Sequence, residues 1–247
     1  MRPAGPNALA GRRAFVTGGG RGIGAAIVLE LLSQGADVVF ADINLKGASS
    51  AVLASSARGV ALNVADAGAV AAAVAAQGPF DILVNNAGRD QHAFFVDTRP
   101  EDWADLIAVN LGSVLACTHA VLPAMQAAGF GRIINIASEA GRGGSKGGSV
   151  YSASKGGVIA FTKSIAREAA RYGVTVNVVT PGPIRTPLLQ AAVDEGGDRL
   201  LQAMKDATLL RRLGEPEEVA GLVAFLASDA AAYITAETIG VSGGMGC

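Results

Sequence analysis

Short runs of branched aliphatic residues, separated by longer alanine- and leucine-rich stretches, leave this chain few ways to fold. The runs are Ala14 to Thr17, Asp37 to Ala41, Ile82 to Val84, Arg132 to Ala137, Val174 to Val179 and Thr238 to Val241. A strand with one wet face alternates polar and apolar residues. These are almost continuously apolar, so they are expected to be covered on both faces, as in parallel sheets. Between the first two, Gly22 to Gln34 places Ile23, Ile27 and Leu31 at helical spacing and stops before Gly35, a residue suited to the left-handed position after a helix. Similar stretches run over about 66–77, 100–127, 151–172 and 215–228. Strands and helices in alternation imply βαβ units with right-handed crossovers, hence an α/β fold: a doubly wound parallel sheet with helices on both faces.

At 247 residues, half of them hydrophobic, the chain can bury one sizeable core. No linker or repeat divides it, so one domain is expected over 11–247. Residues 1–10 are expected to be a loose tail, broken by Pro3, Gly5 and Pro6 and lacking the apolar run of a signal peptide. A net charge of -1 and a pI near 6.1 offer no general attraction to phosphate backbones or anionic membranes. No uninterrupted apolar run reaches the length of a membrane span, so no membrane association is expected. Cys117 and Cys247 cannot build a disulfide framework, and no clustered Cys/His spacing marks a metal site; a reducing cytoplasm fits. The least regular stretch, about 187–208, follows a strand end, where a mobile substrate lid is expected.

Directly after the first run comes T-G-G-G-R-G-I-G, Thr17 to Gly24, opening onto a helix. A glycine-rich turn there lets backbone approach a pyrophosphate closely, while free N–H groups and the positive end of the helix dipole hold its charge. G-x-x-x-G-x-G through Gly18, Gly22 and Gly24 accounts for more of the stretch than G-x-G-x-x-A through Gly20, Gly22 and Ala25. A glycine cluster alone can be an ordinary tight turn; the strand before and helix after make it a dinucleotide loop of a Rossmann-type sheet, using Gly18, Arg21, Gly22, Ile23 and Gly24. About twenty residues on, V-V-F-A-D ends at Asp42, where an acid binds the ribose hydroxyls of NAD and repels the 2′-phosphate of NADP. Arg21 pulls the other way, because a basic side chain in the loop can receive that phosphate. Asp42 confronts the phosphate directly, so NAD is the expected cofactor.

Val150 to Lys155 reads V-Y-S-A-S-K. On a helix, residues four apart share one face, so the Tyr151 phenol and the Lys155 ammonium can share a site. A lone Y-x-x-x-K carries little weight, but it stands in order with T-G-G-G-R-G-I-G, N-N-A-G (Asn85 to Gly88), V-N-L around Asn110, I-A-S ending at Ser138, and P-G-P-I-R-T (Pro181 to Thr186). Together these make the chain resemble the short-chain dehydrogenase/reductase family, in its short single-domain branch, from about residue 11 to the end. The resemblance implies a catalytic set of Asn110, Ser138, Tyr151 and Lys155. Lys155 would bind the nicotinamide ribose and lower the phenol pKa from its usual value near 10. Tyr151 would carry the proton as hydride moves, Ser138 would hydrogen-bond the substrate oxygen, and Asn110 would hold a water linking Lys155 to solvent. It also implies that Asn63 and Val64 meet the adenine, Asn86 the adenosine ribose, and Ile184 with Thr186 the carboxamide. Asn63 departs from the usual aspartate, and V-S-G-G (Val241 to Gly244) from the common V-D-G-G. No metal is implied.

Of the remaining residues, His92 and His119 are expected to be ordinary surface or helix residues, Cys117 a buried small hydrophobe, and Trp103 the packing for a helix start. The helix from Tyr151 is small or apolar on more than one side, as in helices buried all round; the family resemblance implies that this burial is at a helix-to-helix subunit contact, hence a homotetramer. Substrate choice would lie in 89–94, 139–149 and 187–208. The cations Arg89, Arg142, Lys146 and Arg185 are compatible with a carboxylate, phosphate or CoA ester. The leading expectation is an NAD(H)-dependent oxidoreductase interconverting a secondary alcohol and a ketone, with a 3-hydroxyacyl-CoA or alicyclic hydroxyacyl-CoA as a candidate substrate. Beside it stand an NADPH-dependent 3-oxoacyl-carrier-protein reductase and, in a different class, a non-catalytic dinucleotide-binding sensor or structural subunit.

Overall fold

All six apolar runs form strands, and a seventh joins them. The structure is a computed structural model that describes residues 7–246, without the side chains at 192, 195 and 196. The strands are β1 (Arg13–Thr17), β2 (Asp37–Asp42), β3 (Arg58–Ala61), β4 (Ile82–Asn85), β5 (Gly131–Ile136), β6 (Val174–Pro181) and β7 (Thr238–Val241). They form one sheet in the order β3-β2-β1-β4-β5-β6-β7, and every pairing is parallel. The strand without a sequence signature, β3, is the edge; three of its four residues are exposed, so it carries no apolar run.

The helices are α1 (Gly22–Ser33), α2 (Ser50–Leu53), α3 (Ala67–Gln77), α4 (Pro100–Ile107), α5 (Ser113–Ala128), α6 (Ala140–Gly143), α7 (Ser149–Ala169), α8 (Pro187–Asp206) and α9 (Pro216–Ala227). Two apolar cores lie on opposite faces of the sheet. Val28, Leu31, Val219 and Val223 of α1 and α9 build one; Val70 and Val74 of α3, Cys117 and Val121 of α5 and Ala166 of α7 build the other. Adjacent residues of β1 feed both: Val16 enters the first core and Phe15 the second. That two-sided demand is why the strands lack a polar alternation.

The order places β1 between β2 and β4, so crossovers leave in opposite directions from β1 and β4 and a crevice opens at their carboxyl ends, the place where such sheets bind ligands. Three expectations change. Residues 1–6 of the expected tail lie outside the described residues, but 7–10 are folded: Leu9 is 1% exposed in the core and its N–H donates to the Gln34 carbonyl at 2.9 Å. The 187–208 segment is helical, interrupted only at Gly197 (φ 70°). Pro187 opens the helix, Thr186 caps Leu189 N–H at 3.2 Å, and Gln190–Asp194 and Gln202–Asp206 pairs brace its exposed side. Pro100–Ala128 is long and apolar enough to cross a membrane, with a mean hydropathy of 1.7. Here it packs Val114, Cys117, Val121 and Met125 into the cores, the ordinary origin of such a stretch.

Candidate active site

The glycine turn fits a pyrophosphate on grounds of space and charge. Gly18 and Gly22 have φ of 63° and 53°, which side chains disfavour. A Cβ on Gly24 would stand 2.0 Å from the Gly18 carbonyl oxygen and 2.5 Å from Asn86 Nδ2, so α1 can enter this close to the turn only as glycine. Arg21, the N-cap of α1, provides no side-chain cap, which leaves the first amides of the helix facing the crevice. Ile23 lies in this first turn, partly buried against the α1–α9 core. Asn86 ties the turn to β4: its Nδ2 donates to the Thr17 and Gly18 carbonyls at 3.1 and 3.0 Å, and its own N–H donates to Thr17 Oγ1 at 3.0 Å.

Asp42 stands at the end of β2 beside this turn. Its Oδ2 accepts from Gly20 N–H at 3.0 Å and its Oδ1 from Asn44 N–H at 3.0 Å. Both oxygens retain lone pairs, so the carboxylate is fixed in position without being used up. Arg21 is exposed and makes no ion pair among the described residues. Asn63 turns its Oδ1 onto Ala65 N–H at 3.1 Å, and Val64 is buried in the second core. Ile184 is 4% exposed, and the N–H of neighbouring Arg185 donates to the Gly214 carbonyl at 2.8 Å. A Cβ on Gly22 would lie 3.3 Å from Thr186, so the start of α8 adjoins the glycine turn.

The second group of expected residues converges at the carboxyl ends of β4 and β5. Lys155 is buried and donates from Nζ to the Ile136 carbonyl at 2.9 Å, while Nζ stands 5.9 Å from the Tyr151 ring centroid. Ser138 hydrogen-bonds Tyr151 and accepts from Ala140 N–H at 3.1 Å. Asn110 is fully buried in a wide, π-helical turn, Ala108–Gly112, between α4 and α5; such turns re-aim a side chain within an otherwise continuous helix. Its Oδ1 accepts from Arg89 N–H at 2.8 Å and its Nδ2 donates to the Arg89 carbonyl at 2.9 Å. Gly88 makes the convergence possible: a Cβ there would stand 3.1 Å from Asn110 Oδ1 and 3.4 Å from Lys155 Nζ.

Charge in the site is set first by burial. Burial pushes the Tyr151 phenol up to about 12, against a lowering by the Ser138 hydrogen bond and with a further rise from Asp90. Burial brings Lys155 down to about 8, opposed by Asp90. The acidified phenol expected beside Lys155 does not appear: burial is the largest influence on Tyr151, and the group that lowers it is Ser138. Asp90 and Gln91 carried no sequence signal as site residues beyond lying in the 89–94 segment. Gln91 Oε1 accepts from the N–H groups of Val150 and Tyr151 at 2.9 and 3.1 Å. His92 Nε2 lies 3.7 Å from Asp90 Oδ2. Trp103 stacks on Phe95 at 5.1 Å and donates to Thr98 Oγ1 at 2.8 Å, the expected packing role.

A crevice with a glycine cradle on one side and, on the other, a buried Lys155 beside the half-buried Tyr151 and Ser138 matches known proteins over nearly the whole chain. The model of the family described as enoyl-(acyl carrier protein) reductase covers residues 18–246. A 3-oxoacyl-[acyl-carrier-protein] reductase, FabG, of Vibrio cholerae serotype O1 is 44% identical over 96% of this chain and 98% of its own; that of Escherichia coli K12 is 43% identical over 95% and 97%. A solved short chain dehydrogenase/reductase family protein superposes with a TM-score of 0.88 at 36% identity, covering 96% of this chain and 97% of its own. The chain belongs to the short-chain dehydrogenase/reductase family. It is an oxidoreductase of alcohol and keto groups that works with a nicotinamide dinucleotide. A crystal structure from Agrobacterium tumefaciens, proposed to be a gluconate dehydrogenase, superposes with a TM-score of 0.90 at 31% identity and covers 96% of both chains, so the same frame accompanies different substrates.

Proposed function

We propose that the protein reduces a 3-oxoacyl thioester to the 3-hydroxyacyl product. The carrying observation is the meeting of Ser138, Tyr151 and Lys155 at the crevice edge, in a chain whose named relatives are 3-oxoacyl-[acyl-carrier-protein] reductases. On substrate, these relatives weigh toward the carrier-protein reductase rather than the NAD-linked dehydrogenase expected first. The non-catalytic reading has no support from a site whose four expected groups are all present.

The reduced nicotinamide supplies the hydride. Tyr151 gives its proton to the carbonyl oxygen, so one hydride and one proton convert ketone to alcohol. Ser138 donates a hydrogen bond to that oxygen as charge grows on it. Lys155 would bind the cofactor ribose and supply positive charge near the phenol, and Asn110 holds the backbone of Arg89 beside it. Gly18, Gly22 and Gly24 with the α1 amides hold the pyrophosphate; Asn63, Val64 and Asn86 serve the adenosine half, and Ile184 and Thr186 the carboxamide.

For the dinucleotide we place NADH ahead of NADPH, because the fixed Asp42 carboxylate cannot swing away from a 2′-phosphate. The pairing with NADPH, which the resemblance to carrier-protein reductases suggests, is favoured by the unpaired Arg21. Initial rates with a 3-oxoacyl thioester and each cofactor test both halves. Turnover with neither, or undiminished turnover in Tyr151→Phe, would sink the reading. We also propose a homotetramer in a reducing cytoplasm. Within one chain α7 buries a single stripe (Val150, Ser154, Val158, Thr162, Ala166) and leaves Ala153 and Ala160 exposed, so a second copy would have to cover the face expected to be buried; light scattering reads the mass.

A further inference from the structure

The third residue of α7 is Tyr151, inside the turn where helix amides have no partners of their own. The residue before the helix, Gly148, has no side chain to cap them. The missing cap comes from 60 residues away: Gln91 Oε1 takes both the Val150 and Tyr151 N–H groups, at 2.9 and 3.1 Å. Gln91 is itself held at each side. Its own N–H donates to Asp90 Oδ1 at 2.8 Å, and Ala93 N–H donates to the Gly147 carbonyl at 2.9 Å, joining the loop to the approach of α7. On the other flank, Asn110 grips both backbone groups of Arg89. A continuous path therefore runs from the wide turn at Asn110 through Arg89 and Gln91 to the backbone of Tyr151.

We infer that Gln91 is a positioning residue for Tyr151, its side-chain carbonyl serving as the N-cap of the catalytic helix and fixing the phenol against the substrate carbonyl. This rests on the reading of Tyr151 as proton donor. A glutamine has one carbonyl oxygen, and here two amides share it; neither has another acceptor among the described residues. An uncapped first turn frays. A phenol carried by a fraying turn spends less time within reach of the reacting oxygen, and a displacement of about 1 Å is enough to cost roughly 100-fold in rate. Gln91 does not touch the glycine turn or Asp42, so dinucleotide binding is not expected to change with it.

The test compares Gln91→Leu, Gln91→Glu and Tyr151→Phe in the full-length protein, with thioester reduction, NADH binding by fluorescence titration, and melting by circular dichroism. Gln91→Leu should lose roughly 10- to 100-fold in kcat while its NADH affinity stays within about 2-fold. Gln91→Glu keeps the acceptor oxygens and should recover kcat to within about 5-fold; its added negative charge should move the acid limb of alcohol oxidation, where activity is lost as the phenolate is protonated, to higher pH. If Gln91→Leu does not fold, Gln91→Asn, one methylene short of the amides, takes its place with the same expectation. Unchanged kcat in Gln91→Leu alongside a dead Tyr151→Phe overturns the positioning role and leaves the proton donor standing. An active Tyr151→Phe overturns the donor reading itself. A Gln91→Glu as slow as Gln91→Leu also overturns the inference, because acceptor geometry would then not be what matters.

Discussion

Replacing Gly24 by alanine sets one methyl group against the tightest contact in the cofactor cradle. The added carbon would lie 2.0 Å from the Gly18 carbonyl oxygen, and Cβ atoms do not approach such atoms closer than 3.0 Å, so helix and turn must part by about 1 Å. Neither partner yields easily. Gly18 is held through its carbonyl by Asn86, and α1 is packed through Val28 and Leu31 against α9. Overpacking of this kind costs about 3 kcal/mol, which for a domain of this size lowers Tm by about 6–12 °C. The same movement takes the α1 amides off the pyrophosphate path, so NADH affinity should fall by at least about 10-fold. Gly221→Ala is the matched control: it lies inside α9 with nothing within 4 Å of the added carbon, and should gain about 0.5–1 kcal/mol. Thermal unfolding with and without NADH, together with fluorescence titration, measures both effects. A Gly24→Ala protein that melts within 2 °C of the parent, the shift expected for a cost of at most about 1 kcal/mol, and binds NADH equally well would refute the close-packing argument.

Asp42→Ala should shift the ratio of kcat/KM for NADPH over NADH upward by at least about 30-fold, since like-charge apposition costs roughly 2 kcal/mol or more; an unchanged ratio would transfer cofactor choice to Arg21. Lys155 provides a pH signature. Its pKa in the fold, about 8, lies below the 10.5 of an exposed lysine, so its cost to stability is full below pH 8 and is relieved as pH rises toward 10.5. Between pH 7.5 and 9.5 the gain from this group is about 2 kcal/mol in urea unfolding. Cys117, raised by burial to about 12, works in the opposite direction above pH 9, so the comparison is with Lys155→Met, in which the alkaline gain should vanish.

The glycine turn and the pairing of Tyr151 with Lys155 were legible in the sequence because each depends on backbone space or helical spacing. Gly18 and Gly24 mark positions where a side chain collides, Gly22 one whose positive φ disfavours it, and Tyr151 and Lys155 mark one helix face. What escaped was whatever depends on distant parts of the chain meeting. β3 is stabilised by pairing with β2 and not by an apolar run of its own, so its composition looks like a loop. Residues 187–206 contain two adjacent glycines and several charges, yet capping and i,i+4 pairs carry a broken helix through them. Leu9 looked like part of a tail because a single leucine has no periodicity; its burial follows from the Gln34 carbonyl that receives its amide. Gln91 was invisible for the same reason: no local pattern tells that a glutamine will cap a helix 60 residues on.

The charge around Tyr151 bears on its proposed role as proton donor. Burial keeps Tyr151 a neutral phenol far above neutral pH, and Ser138, the group that lowers its pKa, does not overcome burial. A neutral phenol is a proton donor, the role reduction requires; oxidation needs phenolate. Asp90 reinforces this, because its charge opposes phenolate while favouring the protonated Lys155. To act as a base Tyr151 would need more positive charge beside it, which an oxidised, cationic dinucleotide would supply. Burial and Asp90 thus both favour the protonated phenol, which is in keeping with the proposed donation of a proton to a keto oxygen.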